Sequence, residues 1–337
     1  MSVKENDSTV DTQQNIPKQH KIDWRDLLIN KLGALFGLII LMIVLSIASP
    51  YFFTFNNLMN VAQQSTIIAL VAAGELLAIL TAGIDLSVGS ILALSISVTG
   101  VTTITMGINP VIGLILGLGT GALVGMANGL LLTKLHLPHP FIATLGMMNI
   151  ARGLALIITQ ASPVSGFPSW IQFLGAGYVG PIPFSFIIVI IIAIIFHFFL
   201  TRTELGRHIY AVGGNKEAAK LSGINVDKVL IWVFTISGFM AAVSGIVLMG
   251  RVNAAYPLAG MQYELDAIAA VIIGGASFFG GVGNIWGTII GAIILAVIRN
   301  GLNLLGVSPD MQSVVIGVVI IGAVYVDVLR HRGMNRG

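Results

Sequence analysis

Residues 58–106 read LMNVAQQSTIIALVAAGELLAILTAGIDLSVGSILALSISVTGVTTITM, and the fold turns on how they are read. Two apolar runs, Leu58 to Thr81 and Leu86 to Met106, flank a short break at Ala82 to Asp85. Each run reaches the ~20 residues that a helix needs to cross a hydrocarbon core. Only Glu75 and Asp85 carry charge in the whole stretch. A soluble amphipathic helix keeps a charged face toward water, and neither run has one. Similar runs recur on both sides, punctuated by Gly, Pro and Asn. They are Leu32 to Ser49, Pro110 to Thr133, Phe141 to Thr159, Phe184 to Leu200, Val229 to Gly250, Glu264 to Phe279, Ile285 to Leu305 and Gln312 to Leu329. The expected fold class is therefore all-α, a polytopic membrane protein of about ten transmembrane helices with broken, Gly-rich segments.

Composition agrees. Of 337 residues, 56% are hydrophobic and 9% charged, with a mean hydropathy of +0.95, where soluble proteins carry about 25% charged residues. A soluble enzyme on a membrane anchor is excluded. With no cysteine there is no disulfide framework, thiolate metal site or cysteine nucleophile. The net charge of +3 is a matter of position rather than of nucleic-acid binding, and no nucleic-acid partner is expected.

Twenty-one of the 31 charged residues fall in three segments: Met1 to Lys31, Arg202 to Lys228 and Arg330 to Gly337. Residues 1–31 are polar, aperiodic and balanced in charge, which reads as a mostly disordered tail, with Ile22 to Asn30 a candidate interfacial helix. Leu32 to Ser49 is too long in flank and core for a signal peptide and reads as a first, retained span. Even span number places both termini on one side. The tail, the turn at Lys134, the polar loop and the C-terminus hold 14 of the 17 basic residues, so the positive-inside rule makes these regions cytoplasmic. The chargeless stretch Gln160 to Pro183 becomes an outside loop. The expected organisation is a cytoplasmic tail 1–31, a transmembrane domain 32–329 with a cytoplasmic loop 202–228, and a cytoplasmic tail 330–337.

The loop contains helix signals. Asn215 is a fair N-cap, Lys216 to Leu221 is helix-forming, and Gly223 is placed as a C-terminal stop. So short a helix is marginal alone in water and needs something to pack against. The string Glu217-Ala218-Ala219-Lys220-Leu221-Ser222-Gly223 resembles the Glu-Ala-Ala, three residues, Gly signature of ABC importer permeases, without its later Ile-x-Leu-Pro portion. Other blocks stand in the same order as in the ribose-type permease subunits of bacterial ABC sugar importers. They are Gly83-Ile84-Asp85-Leu86-Ser87-Val88-Gly89-Ser90, Phe141-Ile142-Ala143-Thr144-Leu145-Gly146, Leu205-Gly206-Arg207 to Asn225, Tyr263-Glu264-Leu265-Asp266-Ala267-Ile268-Ala269-Ala270 and Asn300-Gly301-Leu302-Asn303-Leu304-Leu305-Gly306-Val307. The resemblance spans about Leu32 to Val328 and is weakest over Ala161 to Pro183.

That resemblance implies a ten-helix permease paired with a second copy of itself, served by ATPase subunits inside and a periplasmic or lipid-anchored sugar-binding protein outside. It makes Gly206, Asn215, Glu217, Ala218, Ala219 and Gly223 the coupling residues toward the ATPase. The chain has no Gly-x4-Gly-Lys-Ser/Thr loop, so no cofactor is expected on it, and ATP and Mg would sit on the partner subunit.

Ionisable groups at bilayer depth need a partner or water. Glu75 has two readings, a pathway residue or an interhelical contact. Asp85 sits between Gly83 and Gly89, where it can cap the helix that follows or serve as a gate. The spacing recurs at Gly275 and Gly281, and Gly-interrupted segments in matching positions point to a central transporter site, although Gly also permits close packing. Glu264 and Asp266 diverge by about 200° on a helix and cannot act as a pair. Docking of the binding protein is one role for them. Asn149 and Arg152 share a helical face, as do Asn300 and Asn303. With Gln63 and Gln64 they suit either a neutral polyhydroxylated solute or plain interhelical bonding. His136 and His139 lack a third ligand, so no metal is expected.

The reading is thus a permease subunit, not an enzyme, moving a neutral sugar such as ribose or a related pentose by alternating access. A branched-chain amino acid ABC permease is the same-class alternative. A proton-coupled secondary transporter using Glu75 or Asp85 is the different-class one, and no nucleophile, base and oxyanion constellation supports a membrane enzyme.

Overall fold

The computed structural model describes residues 33–334, so the tail expected over 1–31 lies outside the described residues. The chain is helical almost throughout. Eight helices are long and apolar enough to cross a membrane among the described residues. These are α2 (Phe55–Leu80), α3 (Val88–Gly100, extended by a π-turn to Thr105), α4 (Pro110–Lys134), α5 (Pro140–Ile158), α7 (Phe184–Arg202), α10 (Val226–Val252), α12 (Ile285–Leu304) and α13 (Pro309–Met334). The expected first span is the 16-residue α1 (Gly33–Ala48). The tail expected over 330–337 begins within α13.

Helix starts follow local chemistry. The Thr54 hydroxyl caps α2 by accepting from the Asn57 N–H at 3.4 Å. Asn109 and His139 cap α4 and α5, each followed by a proline at the first helical position, where its missing N–H costs nothing. Most residues of the α2, α3, α10 and α12 spans are buried, while fewer than a third are in the α4, α5, α7 and α13 spans. Gly121, Gly125 and Gly129 lie on one face of α4, where a methyl group would overlap the α10 backbone. This is the close approach that small residues permit in membranes, where packing rather than hydrophobicity drives helix association.

Two expectations change in detail. The run Glu264 to Phe279 is not one long helix: α11 (Tyr263–Ile273) has 11 residues, about 16 Å, and ends where Gly274 and Gly275 open an irregular segment reaching Asn284. Apolar composition cannot distinguish a helix from an apolar turn, and here the paired glycines decide. The stretch Gln160 to Pro183 is built rather than plain loop. It holds α6 (Ser169–Ala176), the strand β1 (Val164–Ser165) and a hairpin of β2 (Tyr178–Val179) with β3 (Ile182–Pro183). Strand β1 pairs antiparallel with β4 (Ala254–Ala255), just after α10.

The polar loop folds as an elbow of α8 (Glu204–Gly214) and α9 (Lys216–Leu221). The elbow marks one end of the molecule; the opposite one is its far end.

Candidate functional site

The break in the opening stretch returns the chain alongside α2. Ala82 takes a left-handed φ of 57°, the Thr144 hydroxyl of α5 donates to the Ile84 carbonyl at 3.3 Å, and Asp85 comes level with Glu75. The Asp85 N–H donates to Glu75 Oε1 at 3.0 Å. Asp85 in turn accepts from the Ser87 N–H at 3.0 Å, from the Ser87 hydroxyl and, through its second oxygen, from Ser237 of α10 at 2.9 Å. Asn128 of α4 donates to the Ser87 hydroxyl at 2.8 Å. All five side chains are fully buried. The Asp85 carboxylate thus holds the turn that starts α3 and ties α10 to it, while α2 joins through the Asp85 N–H and α4 through the Ser87 hydroxyl. Among the described residues, Glu75 Oε2 and Asn128 Oδ1 have no hydrogen-bond partner.

A second irregular segment meets this region from the far end. Residues 253–262 leave α10 at Asn253, where φ is 52°, and run beside α3. Ala255 faces Gly100 near the far end of α3, and Gly260 faces Gly89 at its start. Eleven residues of helix separate those levels, about 16 Å, so the segment re-enters the bundle. Arg152 of α5 holds it, donating through Nη1 to the Pro257 and Ala259 carbonyls at 2.7 Å each. Glu264 follows, its carboxylate beside Gly89 and attracted to Arg152. Irregular backbone at membrane depth is tolerated only inside protein or against a water-filled cavity, and here a guanidinium supplies the missing donors.

Other sequence-derived candidates fall into separate places. Asp266 is buried in a two-oxygen ion pair with Arg299 Nη2 at 2.7 Å. The Asn57 and Asn300 side-chain amides exchange two hydrogen bonds, at 2.9 and 2.8 Å, and Asn303 accepts from Gln312 at 2.7 Å. Gln63 donates to the Gly175 carbonyl at 3.2 Å, with Gln64 half-buried beside it. Asn149 is exposed and bonds only back to its own helix, at Leu145. Gly83 rests against Pro140.

In the elbow, Asn215 caps α9 by accepting from the Ala218 N–H at 2.9 Å. Gly223, with φ of 85°, ends it, and the Ile224 N–H returns to the Ala219 carbonyl at 3.1 Å. Ala219 alone of α9 is buried, Glu217 and Ala218 face outward, and Leu221 is 89% exposed. Gly206 packs against the last turn of α7. Tyr210 of α8 donates to the Gly283 carbonyl at 2.8 Å, and burial pushes its phenol up, so it stays a donor.

Asn128, Ser237, Arg299 and Tyr210 were not singled out in the sequence. Asn128 and Arg299 are lone polar groups in apolar runs and carried a readable signal, whereas Ser237 is a residue type that membrane helices use freely.

Comparison with known proteins gives these features a context. The chain is 45% identical over 318 residues to the ribose import permease protein of Bacillus subtilis (strain 168), covering 94% of this chain and 98% of the relative. It is 44% identical over 298 residues to that of Escherichia coli (strain K12), covering 87% and 92%. With the D-allose transport system permease protein of the same strain it shares 46% over 301 residues, covering 88% and 91%. No solved structure matches the chain. Residues 57–324, from the start of α2 to near the end of α13, match a single family, and the chain belongs to it: the branched-chain amino acid transport system / permease component family.

Proposed function

We propose that this chain is the membrane permease of an ATP-driven importer for ribose or a closely related neutral sugar, acting in the bacterial cytoplasmic membrane. Relatives named for ribose, allose and fructose, covered over 98%, 91% and 79% of their length, favour a sugar over the branched-chain amino acid that the family description mentions. The observation that carries the ATP-driven reading is Leu221. A leucine 89% exposed, on a six-residue helix outside the spans, is an apolar knob without a cover, and α9 cannot persist in water on its own propensity. An ATPase subunit would supply the cover, with the elbow on the cytoplasmic side.

The sugar path in this reading follows the open face of α5. A methyl group on Gly146 or Gly153 would meet nothing within 4 Å, Asn149 is exposed, and Arg152 and Glu264 are half-buried near it. Amides and half-covered charges at bilayer depth favour water and a hydroxylated solute over lipid. A second copy of the chain would close this face from the other side, and a sugar-binding protein would deliver the solute at the far end.

The test is reconstitution. With its ATPase and sugar-binding partners in proteoliposomes, the chain should import labelled D-ribose only when ATP is present. Leu221→Asp should reduce capture of the ATPase by at least tenfold while the permease itself stays folded. Undiminished capture by that variant would remove α9 as the docking element.

A further inference from the structure

The two Gly-broken segments of the bundle meet, and they meet on the elbow. The Gly281 N–H donates to the Leu80 carbonyl at the end of α2, at 2.9 Å. Residues 274–284 therefore hang from α2 by a main-chain bond between segments 201 residues apart in sequence. The last turn of α8 is wedged into this joint. A methyl group on Gly213 would overlap the Leu80 carbonyl and approach the Gly281 nitrogen to 2.7 Å. Gly280 and Gly281, with φ of 85° and 72°, lie against Gly213, Ala82 and Gly214. The Tyr210 hydroxyl adds its bond to Gly283. Three backbones thus touch where no side chain intervenes, two residues before the Asn215 that caps α9.

We propose that Gly213, Gly281 and Tyr210 form a main-chain joint through which movement of α9 shifts α2 and the α11–α12 connection together. They are positioning residues for transport. The proposal rests on α9 being the ATPase contact. Since α8 meets α2 at the Leu80 carbonyl, displacement of α9 is delivered to the helix carrying Glu75, five residues away, and to the turn that holds Asp85. The same displacement pulls on the Gly274 to Asn284 segment and so on α11, whose other end carries Glu264 beside the Arg152-held re-entrant segment. The packing has no compliant side chain to absorb the motion, and close-packed contacts transmit displacement. Two faces of the pathway region would then move on one input.

The joint is tested by neighbouring glycines of one helix turn. A methyl group on Gly214 meets nothing within 4 Å, so Gly214→Ala is the matched control for Gly213→Ala. In proteoliposomes holding the complete complex and labelled D-ribose, Gly214→Ala should keep uptake within about twofold of the parent. Gly213→Ala should still capture the ATPase and hydrolyse ATP, with sugar imported per ATP down at least tenfold. Tyr210→Phe keeps the shape of the site and removes one hydrogen bond; it should lower the same ratio by roughly threefold, and it decides the matter if Gly213→Ala does not assemble. Equal ratios for Gly213→Ala and Gly214→Ala, or an unchanged ratio in Tyr210→Phe, would overturn the joint. Failure of the parent chain itself to capture the ATPase would instead remove the reading of α9 on which it rests.

Discussion

Asp85 is fully buried, and among the described residues its carboxylate is satisfied by hydroxyls and a main-chain N–H rather than by a cation. Its oxygens collect the Ser87 N–H, the Ser87 hydroxyl and the Ser237 hydroxyl, all buried. Removing it orphans three donors, and a buried unsatisfied group costs about 1–3 kcal/mol each. Asp85→Ala should therefore lower the midpoint of thermal unfolding in detergent by several degrees. Glu75→Gln keeps the carbonyl oxygen that accepts from the Asp85 N–H and should leave that midpoint within about two degrees; equal losses for both would dissolve the distinction. The sequence shows Glu75 and Asp85 to be buried polar groups and shows the glycines around the break. It does not show that they meet. Their pairing depends on a left-handed Ala82, a conformation that alanine rarely adopts.

Among the elements, the re-entrant segment 253–262 decides most and was least visible. It holds one charge-free run from Asn253 to Gln262, and nothing in its composition separates a surface connection from a chain that descends beside α3. The difference lies in Arg152, which supplies two donors to carbonyls that no helix or strand would satisfy. Arg152→Met should keep an unbranched, flexible side chain and lose both bonds. Hydrogen exchange across residues 255–262 should then rise at least tenfold, with uptake reduced in parallel. Exchange that stays at the parental rate would show that the packing of Gly260 on Gly89 suffices. By contrast, α9 was legible to the residue, because capping by Asn215 and termination at Gly223 are local effects that need no tertiary partner.

For the whole molecule, helical class and the order of spans followed from hydropathy, while the 11-residue α11 did not, since its apolar run continues through the turn that ends it. An acidic cluster buried in a transporter invites proton coupling. We read the fully buried, multiply bonded Asp85 instead as a structural pin. Uptake into proteoliposomes at fixed ATP should thus be unchanged, within about 20%, by a protonophore; collapse on its addition would favour the secondary transporter. The same pin has a consequence for biosynthesis. Ser237, which completes the shell of Asp85, lies 152 residues later in the chain. At about 5–20 residues per second of synthesis, roughly 8 to 30 seconds separate the emergence of the two. During that interval the α2–α3 hairpin must remain at the insertion machinery or keep access to water, so the first third of this protein cannot be released into lipid as a finished piece.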